Sequence, residues 1–248
     1  MGGALLSRWV AGDDRFTIVD PGLATAPDGV RLVADRAALG EEQFDVAVIA
    51  IKPQLIDAVV ADYAEHLKDG GYVLSIAAGC SIARLQRLLV DKPVVRVMPN
   101  LPAAIGEGVS GICASETVTK RQQEHALSLM ARTGTVIQVE DEDKLDRVTA
   151  VAGSGPGYVF ELARTYVAAA SALGFTAEEA RTLVLGTMAG GVAMARASDE
   201  SLETLRNSVT SKNGTTHAGL EALNGDGLLS RRLKETVDAA YARAVELR

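Results

Sequence analysis

Cysteine, histidine and aromatic residues are all scarce in this chain, and each shortage excludes something. The 248 residues hold two cysteines, Cys80 and Cys113, which cannot build a disulfide framework. Three histidines, His66, His125 and His217, lie far apart and without metal-ligand spacing, so no metal site is expected, and the cysteine usage fits a reducing, cytoplasmic compartment. Aromatics make up 4% of the chain, so its core must come from Ala, Val, Leu and Ile. Basic residues are in deficit: 25 Lys and Arg against 32 Asp and Glu leave a net charge of −7, which argues against nucleic acid or an anionic membrane as a partner. Long apolar runs are missing too. The longest uncharged stretch, Thr182 to Ala195, is bracketed by Arg181 and Arg196 and falls short of the ~20 residues of a membrane helix. Ala4 to Val10 is too short for a signal peptide and is broken by Ser7 and Arg8.

Glycine is abundant, at 24 residues. Up to about residue 140 strand-like and helix-like segments alternate, the pattern of βαβ units and a parallel, doubly wound sheet. Phe16 to Asp20 is short, β-branched and stopped by Pro21-Gly22, while Asp45 to Ile51 is the nearly continuous apolar run of a strand covered on both faces. Tyr72 to Ile76, Val94 to Met98 and Gly134 to Val139 read as further strands, and Leu55, Val59, Tyr63 and Leu67 have helical spacing. From about residue 141 the chain reads as helices alone: Asp143 to Val151, Gly157 to Leu173, Ala177 to Ala197 and Leu228 to Leu247. The expected organisation is therefore an α/β Rossmann-like domain over 1–140 and an all-α domain over 141–248. Within the latter, Gly186, Ala189, Gly190, Ala193 and Ala197 form a stripe of small residues that lets helices approach closely, either within one chain or between subunits.

Three places offer chemistry. Met1-Gly2-Gly3-Ala4 reads either as a flexible terminus or as the second half of a dinucleotide loop G-x-G-x-x-G, whose third glycine allows close helix–strand packing and whose helix N-terminus faces a pyrophosphate. On the second reading, the strand and the first two glycines precede this sequence. Asp20, at a strand's C-terminal end, stands where an acidic residue accepts hydrogen bonds from the adenosine ribose and repels a 2′-phosphate, although Asp before Pro-Gly is also an ordinary turn. The second place is the row of strand ends, Ala50 to Gln54, Ile76 to Gly79 and Met98 to Asn100, where ligands of open α/β sheets bind. The third is the polar loop Val209 to Gly219, which leads into a helix and suits a carboxylate or phosphate as well as it suits simple capping.

Taken in order, Met1-Gly2-Gly3-Ala4, Ile51-Lys52-Pro53-Gln54, Ser75-Ile76-Ala77-Ala78-Gly79, Arg96-Val97-Met98-Pro99-Asn100, Ala152-Gly153-Ser154-Gly155-Pro156-Gly157-Tyr158-Val159-Phe160 and Val209-Thr210-Ser211 with Gly214-Thr215-Thr216 resemble the pyrroline-5-carboxylate reductase family. The resemblance spans essentially the whole chain, and its last two motifs are specific to that family. It implies a nucleotide-binding domain, a helical domain that dimerises and can build larger rings, and transfer of a hydride from NADPH or NADH to 1-pyrroline-5-carboxylate, giving L-proline. By position it implies that Met1 and Gly2 belong to the dinucleotide loop, that Ala50, Lys52 and Pro53 line the cofactor, and that Ala77 and Ala78 flank the nicotinamide. Ser211, Gly214, Thr215 and Thr216 would bind the substrate, with the Thr216 hydroxyl as the catalytic contact at the ring nitrogen. Asp20 leans the cofactor choice toward NADH.

Departures from the family pattern are Lys212-Asn213 in place of Pro-Gly, Leu101 in place of Thr, and the absent first strand, whose loss would leave its neighbours unpaired. Asn tolerates positive φ, so the loop turn can survive. The competing reading is a non-catalytic homologue that binds proline-like ligands without a nucleotide. A hydroxy-acid dehydrogenase would want a catalytic Lys or His in the helical domain, and the long helix after the boundary offers only Lys144, which precedes the expected position.

Overall fold

A computed structural model describes all residues, Met1–Arg248. They divide into two compact units, Met1–Pro156 with Ala239–Arg248, and Gly157–Asp238. The first contains α1 (Gly2–Trp9), β1 (Thr17–Val19), β2 (Arg31–Val33), β3 (Phe44–Ile49), α2 (Ile56–Val59), β4 (Leu67–Ser75), α3 (Ile82–Leu88), β5 (Val94–Met98), β6 (Gly108–Ala114), α4 (Lys120–Ala131), β7 (Gly134–Gln138) and α5 (Glu142–Val148). Five strands form one sheet in the order β3-β4-β5-β6-β7, and β1 and β2 form a separate parallel pair. Tyr72 to Ser75 and every residue of β5 are buried, as apolar strands covered on both faces must be.

The sheet is parallel-dominated rather than wholly parallel. β6 runs antiparallel to β5, while β3-β4, β4-β5 and β6-β7 are parallel. The physical reason is the link: Met98 is joined to Gly108 only by a 3-10 turn over Leu101–Ile105 closed by Gly106 at φ 82°. A parallel crossover needs a dozen residues or more. β2 and β6 escaped the sequence reading because β2 has three residues and β6 carries two glycines. The helix expected from the spacing of Leu55, Val59, Tyr63 and Leu67 is only partly formed: Ile56–Val59 is α-helical, and Pro53–Leu55 and Val60–His66 wind as 3-10 turns.

β1 pairs only with β2, and β3 only with β4. The doubly wound order would place a strand between such a pair of edges. Helix α1 nevertheless docks firmly through Leu5 and Trp9, one turn apart and both buried. The Trp9 indole donates to the Leu129 carbonyl at 2.9 Å, and its ring stacks on Phe16 with centroids 6.1 Å apart. Before β1, Asp14 accepts from Arg132 and sits 3.3 Å from Nε2 of His125, whose Nδ1 lies 2.8 Å from the Tyr72 hydroxyl. Burial pushes the Tyr72 phenol above its ordinary range.

Element type changes at α5, but the packing partner changes later, at Gly157. Helix α5 lies on the sheet so closely that a methyl group on Gly111 would come within 2.8 Å of Leu145 and Val148 side-chain atoms. The second unit is drawn from α6 (Gly155–Ala172), α7 (Ala177–Ala197), α8 (Leu202–Ser208), α9 (Thr215–Asn224) and the start of α10 (Leu228–Leu247). Thr176 and Glu179 cap α7 reciprocally. Its buried hydrophobics are Ala163, Ala170, Ala180 and Val184 alone, while Phe160, Leu173, Met194 and Leu202 are exposed. Nothing lies within 4 Å of where a methyl group on Gly186 or Gly190 would sit, so the small-residue stripe of α7 is not used for packing within the chain. This unit does not cover its own apolar faces, which marks an association surface. No helix is long and apolar enough to cross a membrane.

Candidate active site

Ile49 of β3 pairs in register with Ser75 of β4, so the segments Ala50 to Pro53 and Ile76 to Gly79 leave the same, C-terminal edge of neighbouring parallel strands. The Ile76 N–H donates to the Ile49 carbonyl at 3.0 Å and keeps the two exits together. Helix α1 starts at that edge. A methyl group on Gly2 would come within 2.9 Å of Ala50 Cβ, so a glycine at this position is what allows the helix N-terminus to approach the end of β3. The α1 N-cap is Met1, with no side-chain cap, so the first N–H groups remain available to an anion.

Asp20 follows β1 and is exposed; its Oδ1 accepts from the Gly22 N–H at 2.8 Å, and its other carboxylate oxygen carries no such turn bond. The turn reading is thus realised without consuming the whole carboxylate. Ala50 and Lys52 are exposed and Pro53 is half-buried, while Ala77 is buried and Ala78 exposed. Small side chains therefore line the edge where a flat ring can lie on backbone. Gly79 has φ 66°, and Ser81 then caps α3 by accepting from the Arg84 N–H at 3.2 Å.

Behind this edge the pair Arg96 and Glu142 is not assigned from the sequence, and Asn100 is singled out there only as part of a strand end. Arg96 on β5 is buried and ion-paired with Glu142, whose carboxylate also accepts the Ile82 N–H at 3.0 Å. The signal was present: a lone charge in an otherwise apolar strand demands a partner. Asn100 is buried, donates to the Ala152 carbonyl at 3.0 Å and accepts from the Val109 N–H at 2.9 Å, so it ties the β5 exit to its surroundings. Leu101 beside it is exposed. Burial raises both the Cys80 and Cys113 thiols above their usual range, which favours the neutral thiol.

The polar loop of the second unit is built around α9. Asn213 adopts φ 61°, as the replacement of Pro-Gly requires. Gly214 is the N-cap of α9, and a methyl group there would collide with Ser211 Oγ. No side chain caps this helix, so the N–H groups of Thr215 and Thr216 open its first turn beside two threonine hydroxyls. The sequence-derived residues thus fall into two groups, Met1, Gly2, Asp20, Ala50, Lys52, Pro53, Ala77 and Ala78 in the first unit and Ser211, Gly214, Thr215 and Thr216 in the second.

Comparison with known proteins gives a consistent outcome. Residues 142–247 match the family model described as pyrroline-5-carboxylate reductase dimerisation. The chain is 39% identical over 204 residues to pyrroline-5-carboxylate reductase of Pseudomonas aeruginosa, covering 82% of this chain and 74% of that one. It is 38% identical to the reductase of Vibrio alginolyticus over 221 residues, or 88% and 80% of the two chains. The solved reductase of Coxiella burnetii superposes with a TM-score of 0.90 at 32% identity, over 99% and 94% of the chains. A Plasmodium falciparum structure with NADP bound shares the fold, with a TM-score of 0.85 at 24% identity over 100% of this chain and 94% of that one.

Proposed function

The chain belongs to the pyrroline-5-carboxylate reductase family, and from that premise we propose how its residues divide the NAD(P)H-dependent reduction of 1-pyrroline-5-carboxylate to L-proline. The observation that carries the assignment is the close approach of Gly2 to Ala50, which brings the uncapped start of α1 to the end of β3. There the α1 N–H groups, with Met1 and Gly2, hold the pyrophosphate of a dinucleotide, Asp20 takes the adenosine ribose hydroxyls, and Ala50, Lys52 and Pro53 line its path. Ala77 and Ala78 flank the nicotinamide. The nicotinamide ring, when bound, supplies a hydride. NADH is the better fit to the Asp20 carboxylate, which would repel a 2′-phosphate.

The substrate carboxylate is assigned to the Thr215 and Thr216 N–H groups, with Ser211 and Gly214 shaping the loop around it. A cyclic imine protonated in water is already electrophilic: hydride adds to the carbon of the C=N bond, that bond's π pair moves to nitrogen, and the nitrogen keeps its proton. No strong acid is needed. Thr216 accepts the ring N–H through its hydroxyl and orients the ring, so the work of the protein is placement, with the reacting atoms ~3–3.5 Å apart. A second copy of the chain covers the α7 face, and dimers can assemble further into rings, in the cytoplasm.

Initial rates of imine reduction with NADH and with NADPH test this reading. Thr216→Val is expected to lower kcat/KM about 10- to 100-fold, the worth of a hydrogen bond to a charged group. Asp20→Ser is expected to improve NADPH relative to NADH. A chain that reduces no imine with either nucleotide, yet binds L-proline, would support the non-catalytic reading instead.

A further inference from the structure

The last residues of α10 pack with the first unit rather than the second. There the Tyr241 hydroxyl donates to Asp143 Oδ1, and the Arg147 guanidinium lies over the Tyr241 ring at 5.3 Å from its centroid. Arg147 also holds Asp143 from the other side at 2.9 Å. One turn further along α5, the buried Asp146 pairs with Arg248 at 3.1 Å. These contacts place the Leu247 carbonyl against Gly79, so closely that a methyl group there would collide with it. With φ 66°, Gly79 has two independent reasons to be glycine.

The loop from Ala77 to Ser81 is thus held from two sides by one helix. Glu142, in the first turn of α5, accepts the Ile82 N–H just after the loop. Asp143 and Asp146, on the same helix, anchor the segment that presses on Gly79. The end of α10 reaches back across α5 to this particular loop, and the loop's exposed member, Ala78, is a residue assigned to the nicotinamide.

We propose that residues Tyr241 to Arg248 form a clasp on α5 that fixes the Ala77-Ala78-Gly79 loop, making Tyr241 and Arg248 positioning residues for hydride transfer. The inference rests on the reading that Ala77 and Ala78 flank the nicotinamide. Neither residue touches a reacting atom; both act through the backbone at Gly79.

The test uses the full chain with Tyr241→Phe, which removes one hydroxyl, Arg248→Ala, and Lys120→Ala as a control that removes an exposed charge on α4, outside the clasp. Three quantities are read: nucleotide Kd by calorimetry, kcat with its deuterium isotope effect from 4-deuterated nucleotide, and amide exchange of residues 77–82 without ligand. Both clasp variants are expected to weaken nucleotide binding and lower kcat about 3- to 10-fold, the equivalent of one ordinary hydrogen bond. The isotope effect should rise as hydride transfer becomes slower, KM for the imine should stay within about twofold, and exchange at 77–82 should quicken. Lys120→Ala should match wild type throughout. Clasp variants with wild-type Kd, kcat and isotope effect overturn the proposal, whatever happens to their melting temperatures. If the wild type binds no nucleotide, the cofactor reading itself has failed. Exchange at 77–82 then decides the remainder: unchanged exchange removes the clasp, and faster exchange leaves a structural clasp with no positioning role.

Discussion

Replacing Glu142 by Gln isolates one interaction whose cost follows from burial. Arg96 has 2% of its side chain exposed and Glu142 has 22%. Glutamine keeps an oxygen for the Ile82 N–H, so the perturbation is the loss of a negative charge facing a guanidinium that water cannot reach. Removing one partner of a buried pair costs about 3–5 kcal/mol, because the remaining charge has left water without compensation. Water reaches Glu142 in part, and Asp146 lies near enough to Arg96 to be acted on by its charge, so the lower end, about 3 kcal/mol, is expected. For a chain of this size that is a fall in Tm of about 6–12 °C. Urea and thermal unfolding at fixed protein concentration measure it, since association shifts both. The double variant Arg96→Met with Glu142→Gln removes the stranded charge, and should return to within about 1 kcal/mol of wild type. A single variant within about 0.5 kcal/mol of wild type, or a double variant no better than the single, would refute the reasoning.

Two further outcomes follow from the same packing. Gly2→Val forces side-chain carbon into a space where even a methyl group sits 2.9 Å from Ala50 Cβ; it should cost about 1–3 kcal/mol by overpacking and weaken nucleotide binding more than tenfold in calorimetry, and wild-type affinity would remove Gly2 from the cradle. Burial is the largest influence on Asp146 and holds its carboxyl above the ordinary 3.8, against the opposing pull of Arg248 and Arg96. A raised carboxyl stabilises the fold below about 3.8, and that contribution is lost as pH rises through the folded-state value. The stability of Asp146→Asn relative to wild type should therefore rise as pH increases from about 3.8 in urea titrations, and a relative stability that rises toward acid would contradict the burial argument.

Local chemistry made much of the fold legible. Asp45 to Ile51, Tyr72 to Ile76 and Val94 to Met98 announce strands because few apolar, β-branched runs of that length do anything else. The expected cover on both faces fails for the first: β3 is an edge strand in which only Ile49 is buried and Val48 is exposed. Asn213 announces its positive φ because its side chain tolerates that region. Gly2 and Gly214 were readable as loop glycines, although which neighbour crowds each, Ala50 and Ser211, lies beyond sequence. β6 was hidden because Gly111 is there for the sake of Leu145 and Val148, residues of a helix still to come. The 3-10 winding of Val60–His66 was hidden because its apolar spacing also satisfies an α-helix.

What the sequence determined alone was which segments are apolar, where turns must fall and which loops carry polar groups beside helix starts, because those properties depend on residues a few positions apart. Only the tertiary structure decided the partner of Arg96, the antiparallel return of β6, the uncovered face of α7 and the reach of Leu247 to Gly79. Each depends on groups far apart in the chain, whose meeting is set by packing as a whole rather than by any local preference.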